Sequence, residues 1–347
     1  VARAVTLRGV PSTWLADVAE RAAAAATSGP GGTPDLGAAL GLARDLGDVL
    51  GDAAGAAARA ERWQVLATLG AVDLTVARAV EPHLDAVAIL HEAQEQRLLA
   101  DTCTWGVYAA EGPRRLRAQR DGEGWSLEGE KPWCSLAGSV SHALLTAWVD
   151  EDRRGLFAVR LDDPGIFPLD GPGWVARGLS QVTSTGLRLD DVWAEPVGGP
   201  GWYLERPGFW WGGVGVAAVW HGATVALARR LREACAQRQP DQVALLHLGR
   251  IDTLLATGRA ALREAAGADD GGDDGDLSLV AARARQVVAD GAAEVLDVVG
   301  RALGPGPLAT EEEHARRVAD LQLYLRQHHA ERDLARQGEL VLAGRPW

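Results

Sequence analysis

The sequence predicts three segregated blocks. They are an N-terminal α-helical domain over residues 1–100, a middle β domain over 101–197 and a C-terminal helical bundle over 198–347. Three observations predict this order. Apolar residues recur at three and four before residue 100, short alternating runs split by Gly, Pro and Asp follow over about ninety residues, and helical spacing returns from Gly208. Blocks separated in this way are not the alternating strand–helix pattern of a doubly wound sheet.

In the first block the Ala-rich stretch 12–60 is helical, with Asp35 placed to cap a helix running through Leu50 and Gly29–Gly32 with Pro34 breaking it from an earlier segment. From Glu61 to Leu99, Leu66, Leu69, Val72, Val76, Val80, Leu84, Val87 and Leu90 form an apolar stripe. Pro82 falls between two helical runs and is expected to mark a boundary. In the second block Trp105–Ala109, Leu116–Gln119, Trp125–Glu128, Ala143–Val149, Leu156–Leu161, Thr185–Leu189 and Val192–Ala194 read as strands, with Asp121-Gly122 a turn. The third block predicts helices over 209–236, 240–266, 278–303 and 311–342, the last opened by a Thr310/Glu313 capping box. Trp210, Trp211, Val214, Val216, Val219 and Trp220 cover more than one face of the first of these, so a second copy of the chain is expected to bury it.

Composition bounds the function. Hydrophobic residues make up 47% of the 347 and charged residues 24%, an ordinary globular balance. The formal charge of −12 speaks against nucleic-acid binding, which needs a concentrated positive patch. Cys103, Cys134 and Cys235 are odd in number and form no CxxC, so neither a disulfide framework nor a structural zinc is expected. Residues 1–30 show no secretory signal and no apolar run reads as a membrane span, giving a cytoplasmic expectation. The run Asp269–Asp276 reads as a solvated loop, since the twelve-residue calcium-loop pattern is missing. No GxGxxG or P-loop follows a strand.

Several strings occur in one order: Trp105-Gly106-Val107-Tyr108-Ala109-Ala110-Glu111-Gly112, then Gly124-Trp125-Ser126-Leu127-Glu128-Gly129-Glu130-Lys131-Pro132-Trp133-Cys134-Ser135, then Leu156–Val159, Pro164–Ile166, Leu187–Val192 and Val299–Gly304. In this order, over roughly residues 60–345, the chain resembles the acyl-CoA dehydrogenase family. That resemblance implies the acyl-CoA dehydrogenase-like fold, with an N-terminal α-helical domain, a middle β-barrel domain and a C-terminal four-helix bundle, together with FAD as cofactor and an acyl thioester substrate, carried on CoA or a carrier protein. It further implies a homodimer or homotetramer, and an electron-transfer flavoprotein as electron acceptor. A flavin ring is flat and rich in acceptors along one edge, so it needs an aromatic plane, a hydroxyl and a wall of donors. Trp133 is placed to give the plane and Ser135 the hydroxyl, with Trp105 and Val107 on the opposite strand. The other reading of Trp133 is a core tryptophan.

Departures from the family pattern are equally specific. Its Thr-Glu-Pro-x-x-Gly-Ser-Asp loop is replaced by the shorter Glu111-Gly112-Pro113-Arg114-Arg115, whose arginines either pair a phosphate or form a solvated turn. Its Arg-x-x-Phe-Gly segment is missing near Arg238–Gln242. Neither of its two positions for a catalytic Glu holds an acid. One has Trp210-Trp211-Gly212-Gly213 and the other has Tyr324-Leu325-Arg326-Gln327-His328-His329-Ala330-Glu331-Arg332-Asp333. On a continuous helix Asp333 would orient His329, making His328, His329 and Asp333 the candidate base system, against the alternative of a solvated face with ion pairs at four-residue spacing. His221 is a second candidate. The expected function is thus α,β-dehydrogenation of an acyl thioester with an altered base. The alternatives are an oxidase or monooxygenase on the same fold, or a non-catalytic ligand-binding relative.

Overall fold

The computed structural model describes residues 4–344 apart from 10, 52–54, 101, 123, 172, 238 and 269–273. Four helices open the chain: α1 (Thr13–Ala25), α2 (Leu36–Leu50), α3 (Gly55–Val72) and α4 (Leu74–Glu92). Asp35 caps α2 as its sequence position predicts, its carboxylate accepting from Ala38 N. Asp73 caps α4 in the same way, accepting from Thr75 N and Val76 N. The boundary in this region therefore lies at Asp73, and Pro82 sits inside α4 without ending it. Buried residues on both sides of the proline, among them Val80 and Leu84, anchor both halves of α4 in the core, so packing overrides the lost amide hydrogen bond.

Seven strands follow: β1 (Trp105–Tyr108), β2 (Arg117–Asp121), β3 (Gly124–Lys131), β4 (His142–Trp148), β5 (Arg154–Arg160), β6 (Ile166–Pro168) and β7 (Leu187–Val197). Pairing runs β4–β2–β3–β7–β5 and returns from β5 to β4, so the path closes into a barrel, with β1 added parallel to β4 and β6 antiparallel to β7. Alternation fills it: Ala143, Leu145 and Ala147 of β4 point into the barrel core, while Leu144 points out to Ile89 and Leu90 of α4. The two strands expected over 185–194 are one. Asp190-Asp191 bends β7, with Asp191 at φ 53°, rather than ending it.

The C-terminal helices are α5 (Trp202–Glu205), α6 (Gly208–Ala236), α7 (Gln242–Ala266), α8 (Asp274–Leu303), α9 (Pro305–Thr310), α10 (Glu312–Tyr324) and α11 (Glu331–Leu342). Of these, α6, α7, α8 and α10 share one hydrophobic core with α1–α4. Gly70 of α3 and Gly222 of α6 allow those two helices to touch: a Cβ on Gly222 would sit 1.8 Å from the Ala67 carbonyl oxygen. Helix α6 is, among the described residues, the one helix long and apolar enough to cross a membrane; here it is the mostly buried centre of the bundle. Its faces are covered by α3, α7 and α8 of its own chain, so its all-round apolarity does not by itself require a second copy.

The expected helix over 311–342 is broken. A 3₁₀ turn at Leu325–Gln327 and Ala330 at φ 48° separate α10 from α11. Thr310 ends α9, its hydroxyl donating to the Gly306 carbonyl, so it caps nothing in α10. All three cysteines are free thiols. The acidic run Asp269–Asp276 lies outside the described residues in its first five positions, and the side chains of the other three are likewise undescribed.

Candidate functional site

Where β3 ends, the backbone turns sharply. Trp133 and Leu136 both have positive φ, 59° and 58°, which bulky side chains rarely adopt. The turn is pinned to the loop before β7: Cys134 N donates to Thr185 O at 2.9 Å and Leu136 N to Thr183 O at 2.8 Å. The result is an indole that is 64% exposed, so Trp133 is not a core residue. Holding such a conformation costs on the order of 1–3 kcal/mol, and strain of this kind gathers at functional sites. Beside it, Ser135 Oγ lies 2.8 Å from Ser184 Oγ and accepts from Arg78 Nη2 at 3.2 Å, while Tyr108 donates its hydroxyl to the Ser135 carbonyl at 2.9 Å.

Arg78 leads inward. It donates to Glu81 at 2.5 Å and lies over the Tyr324 ring, 5.4 Å from its centroid. Tyr324 meets Trp220 edge to face at 6.0 Å, Trp220 meets His328 at 6.3 Å, and Arg285 of α8 lies 5.1 Å over Trp220. Burial pushes the Glu81 and Asp85 carboxyls up, against Arg78 for the first and Arg206 for the second. Trp220 Nε1 and His328 Nδ1 are buried without hydrogen-bond partners. Polar atoms left bare in such a place call for a ligand or water.

The structure separates the histidine pair. His328 turns inward, with Nε2 2.9 Å from Gln286 Oε1 and Nδ1 3.0 Å from Asp333 Oδ2, close but misaligned for a hydrogen bond. Burial and the Arg285 charge hold it below the usual imidazole range, with Asp333 opposing. His329 is 67% exposed; its amide donates to Asp333 and its Nδ1 lies 3.4 Å from the same carboxylate. Asp333 thus serves the chain break before α11, not a helix face shared with both histidines. His221 is buried among α6, α7 and α8 against Gly258, and burial pushes it down to about 4.

Trp105 and Val107 do not face the Trp133 indole. Trp105, 1% exposed, and Val107 pack toward α4 with Ala86, Ile89 and Leu90, and the Trp105 ring stacks 4.8 Å from His142. It is Tyr108, the other face of the same strand, that reaches Ser135. Arg114 and Arg115 are committed elsewhere: Arg114 pairs with Glu130, while Arg115 stacks 4.0 Å over Trp148 and reaches Glu151. Lys131, the one lysine, is buried and donates to Glu111, Thr146 O and Thr146 Oγ1, bracing the barrel. Arg78, Glu81 and Asp85 were missed in sequence, although charges three and four apart inside an apolar stripe are a signal of a buried polar face.

No protein-family model matches the chain, and no curated protein does either. Solved structures do. KijD3, solved with FMN and dTDP-3-amino-2,3,6-trideoxy-4-keto-3-methyl-D-glucose, superposes with a TM-score of 0.79 at 21% identity, over 97% of this chain and 96% of its own. Butyryl-CoA dehydrogenase from Megasphaera elsdenii gives 0.78 at 16% identity, over 96% and 100%. The dibenzothiophene monooxygenase TdsC from Paenibacillus sp. A11-2 gives 0.69 at 17% identity, over 88% and 97%. The chain has the acyl-CoA dehydrogenase fold, as the order of its sequence strings implies.

Proposed function

We propose that this chain, built on the acyl-CoA dehydrogenase fold, is a flavin-dependent oxidoreductase acting on a small polar substrate. The observation that carries the reading is Trp133: an exposed indole held in a strained turn beside two serine hydroxyls and a guanidinium. Those residues fit the ring portion of a flavin, which needs a plane and donors toward its acceptor edge. They do not extend to a diphosphate, because Arg114 and Arg115 are already paired with Glu130 and Glu151. This favours FMN, the flavin held by the solved KijD3, over the FAD that the family resemblance implies.

A bound flavin would supply the electron-accepting centre. The chain's own residues supply the rest. Ser135, fixed by Ser184 and by Tyr108 through its carbonyl, donates toward the ring, and Arg78 offsets negative charge arising there. His328, held neutral at physiological pH, accepts a proton at Nδ1, where Asp333 steadies the cation formed. Arg78, Glu81, Asp85 and Arg285 bring both charge signs to the interior behind the serines, a setting that suits a polar substrate better than an apolar acyl chain.

A second reading, dehydrogenation of an acyl thioester with His328 as the altered base and an electron-transfer flavoprotein as acceptor, is favoured by the His328–Asp333 pair and the absent glutamate. Loading the protein with FMN or FAD and mixing it anaerobically with acyl-CoAs separates the two. Bleaching of the flavin band supports dehydrogenation; an unbleached protein whose reduced form consumes oxygen with a polar substrate supports the first. A colourless protein that takes up neither flavin overturns both and leaves a non-catalytic relative.

A further inference from the structure

A cavity of about 220 Å³ opens between α2, α4 and the segment leading into β1. His83, Val87 and His91 line it, about half a helical turn around α4 from Arg78 and Asp85, so it is separate from the Trp133 site. Its α2 wall is bare: Gly47 and Gly51 are one turn apart, and a Cβ there would lie 2.8 Å from His83 Nε2 and 2.7 Å from Val87 Cγ1. Two groups inside it lack partners. His83 is 4% exposed and its Nδ1 has no hydrogen bond. Arg44, on the same wall, forms no ion pair or hydrogen bond among the described residues.

We propose that this cavity is a binding site for a small organic monocarboxylate, its carboxylate held by Arg44 and His83 and its apolar part resting on Val87, Leu99 and Trp105. Size, charge and lining select that class. Usual small-molecule sites span roughly 300–1,000 Å³, so this one takes a single ring or a short chain. One unpaired guanidinium matches one negative charge, and Asp48, exposed at the rim, repels a multiply charged anion such as phosphate. His83 stays uncharged, since burial and the nearby Arg44 push it down to about 4, and a neutral imidazole still donates one hydrogen bond.

Benzoate is a suitable probe, with benzyl alcohol as its uncharged counterpart, titrated into the full chain by calorimetry near neutral pH. Saturable benzoate binding is expected, unaffected by excess FMN. Affinity is expected to fall about tenfold or more for benzyl alcohol and for Arg44→Gln. Leu99→Phe, whose ring fills the space, is expected to abolish binding. Arg44 is half-buried and unpaired and Leu99 lies in a loop, so both variants retain the parent's circular dichroism. Failure of benzoate to saturate by about 10 mM, equal affinity for benzyl alcohol, or parental affinity in Arg44→Gln would each overturn the proposal.

Discussion

Arg78→Met removes the guanidinium that bonds Glu81 and leaves a carboxyl only 8% exposed beside Asp85, with Arg285 as the remaining cation within electrostatic reach. Removing one partner of a buried ion pair costs about 3–5 kcal/mol if the other stays charged. Glu81 has an alternative, which is to take up a proton. Its ordinary value is near 4.5, so at about pH 7.5 protonation costs about 1.4 kcal/mol for each of roughly three units, or about 4 kcal/mol. The loss is therefore capped near about 4 kcal/mol. In the variant the folded state binds a proton that the unfolded state lacks, so stability falls as pH rises above 4.5. On acidification the deficit shrinks by about 1.4 kcal/mol per unit until the parent's own Glu81, itself raised by burial, takes up its proton. Urea denaturation at about pH 7.5, 6.5 and 5.5 measures this directly. Arg78→Met/Glu81→Met recovers most of the loss, because two apolar side chains replace the pair. A deficit under about 1 kcal/mol, a deficit flat with pH, or a double variant no better than the single would refute the reasoning.

His221, at about 4 when folded against an ordinary 6.5, resists protonation in the bundle, so its contribution is present above pH 6.5 and lost as pH falls toward 4. The parent loses about 2 kcal/mol from this source between about pH 7.5 and 5; in His221→Gln that part of the urea-measured slope disappears, with Arg259 the charged neighbour common to both. In flavin-loaded protein, His328→Ala slows flavin reduction by about a hundredfold while His329→Ala leaves it unchanged; stopped-flow absorbance distinguishes them, and equal rates for both variants and the parent remove His328 as the base. We expect a homodimer or homotetramer, with Val243, Leu245 and Leu246 as its exposed apolar face, and a monomer by light scattering at micromolar concentration counts against it.

The block order was legible because it rests on periodicity, and periodicity reports which face of each element is buried. Asp35 was legible as a cap since its role depends on residues three positions away. Pro82 and Asp190-Asp191 were misread because local breakers yield where flanking residues are buried, as Val80 and Leu84 are around the proline. The break at 325–330 left no breaker in the sequence; Ala330 takes its positive φ with neither Gly nor Pro nearby. Trp133 and Ser135 were singled out from a string, but their chemical surroundings were not legible in it. Ser135 meets Arg78 across 57 residues of chain and Ser184 across 49, and contacts that distant have no signature in spacing.

The central claim is that Trp133 forms the floor of a flavin site. Titrating FMN into the parent and into Trp133→Ala, followed by quenching of flavin fluorescence, tests it most directly. Stacking of a planar base on an aromatic side chain contributes about 1–3 kcal/mol, which is about fivefold to 150-fold in affinity. Since the indole is mostly exposed, the account predicts saturable binding by the parent, affinity weaker by at least about fivefold in the variant, and an unchanged melting temperature. Equal affinity in the two proteins, or no binding by the parent, would contradict it.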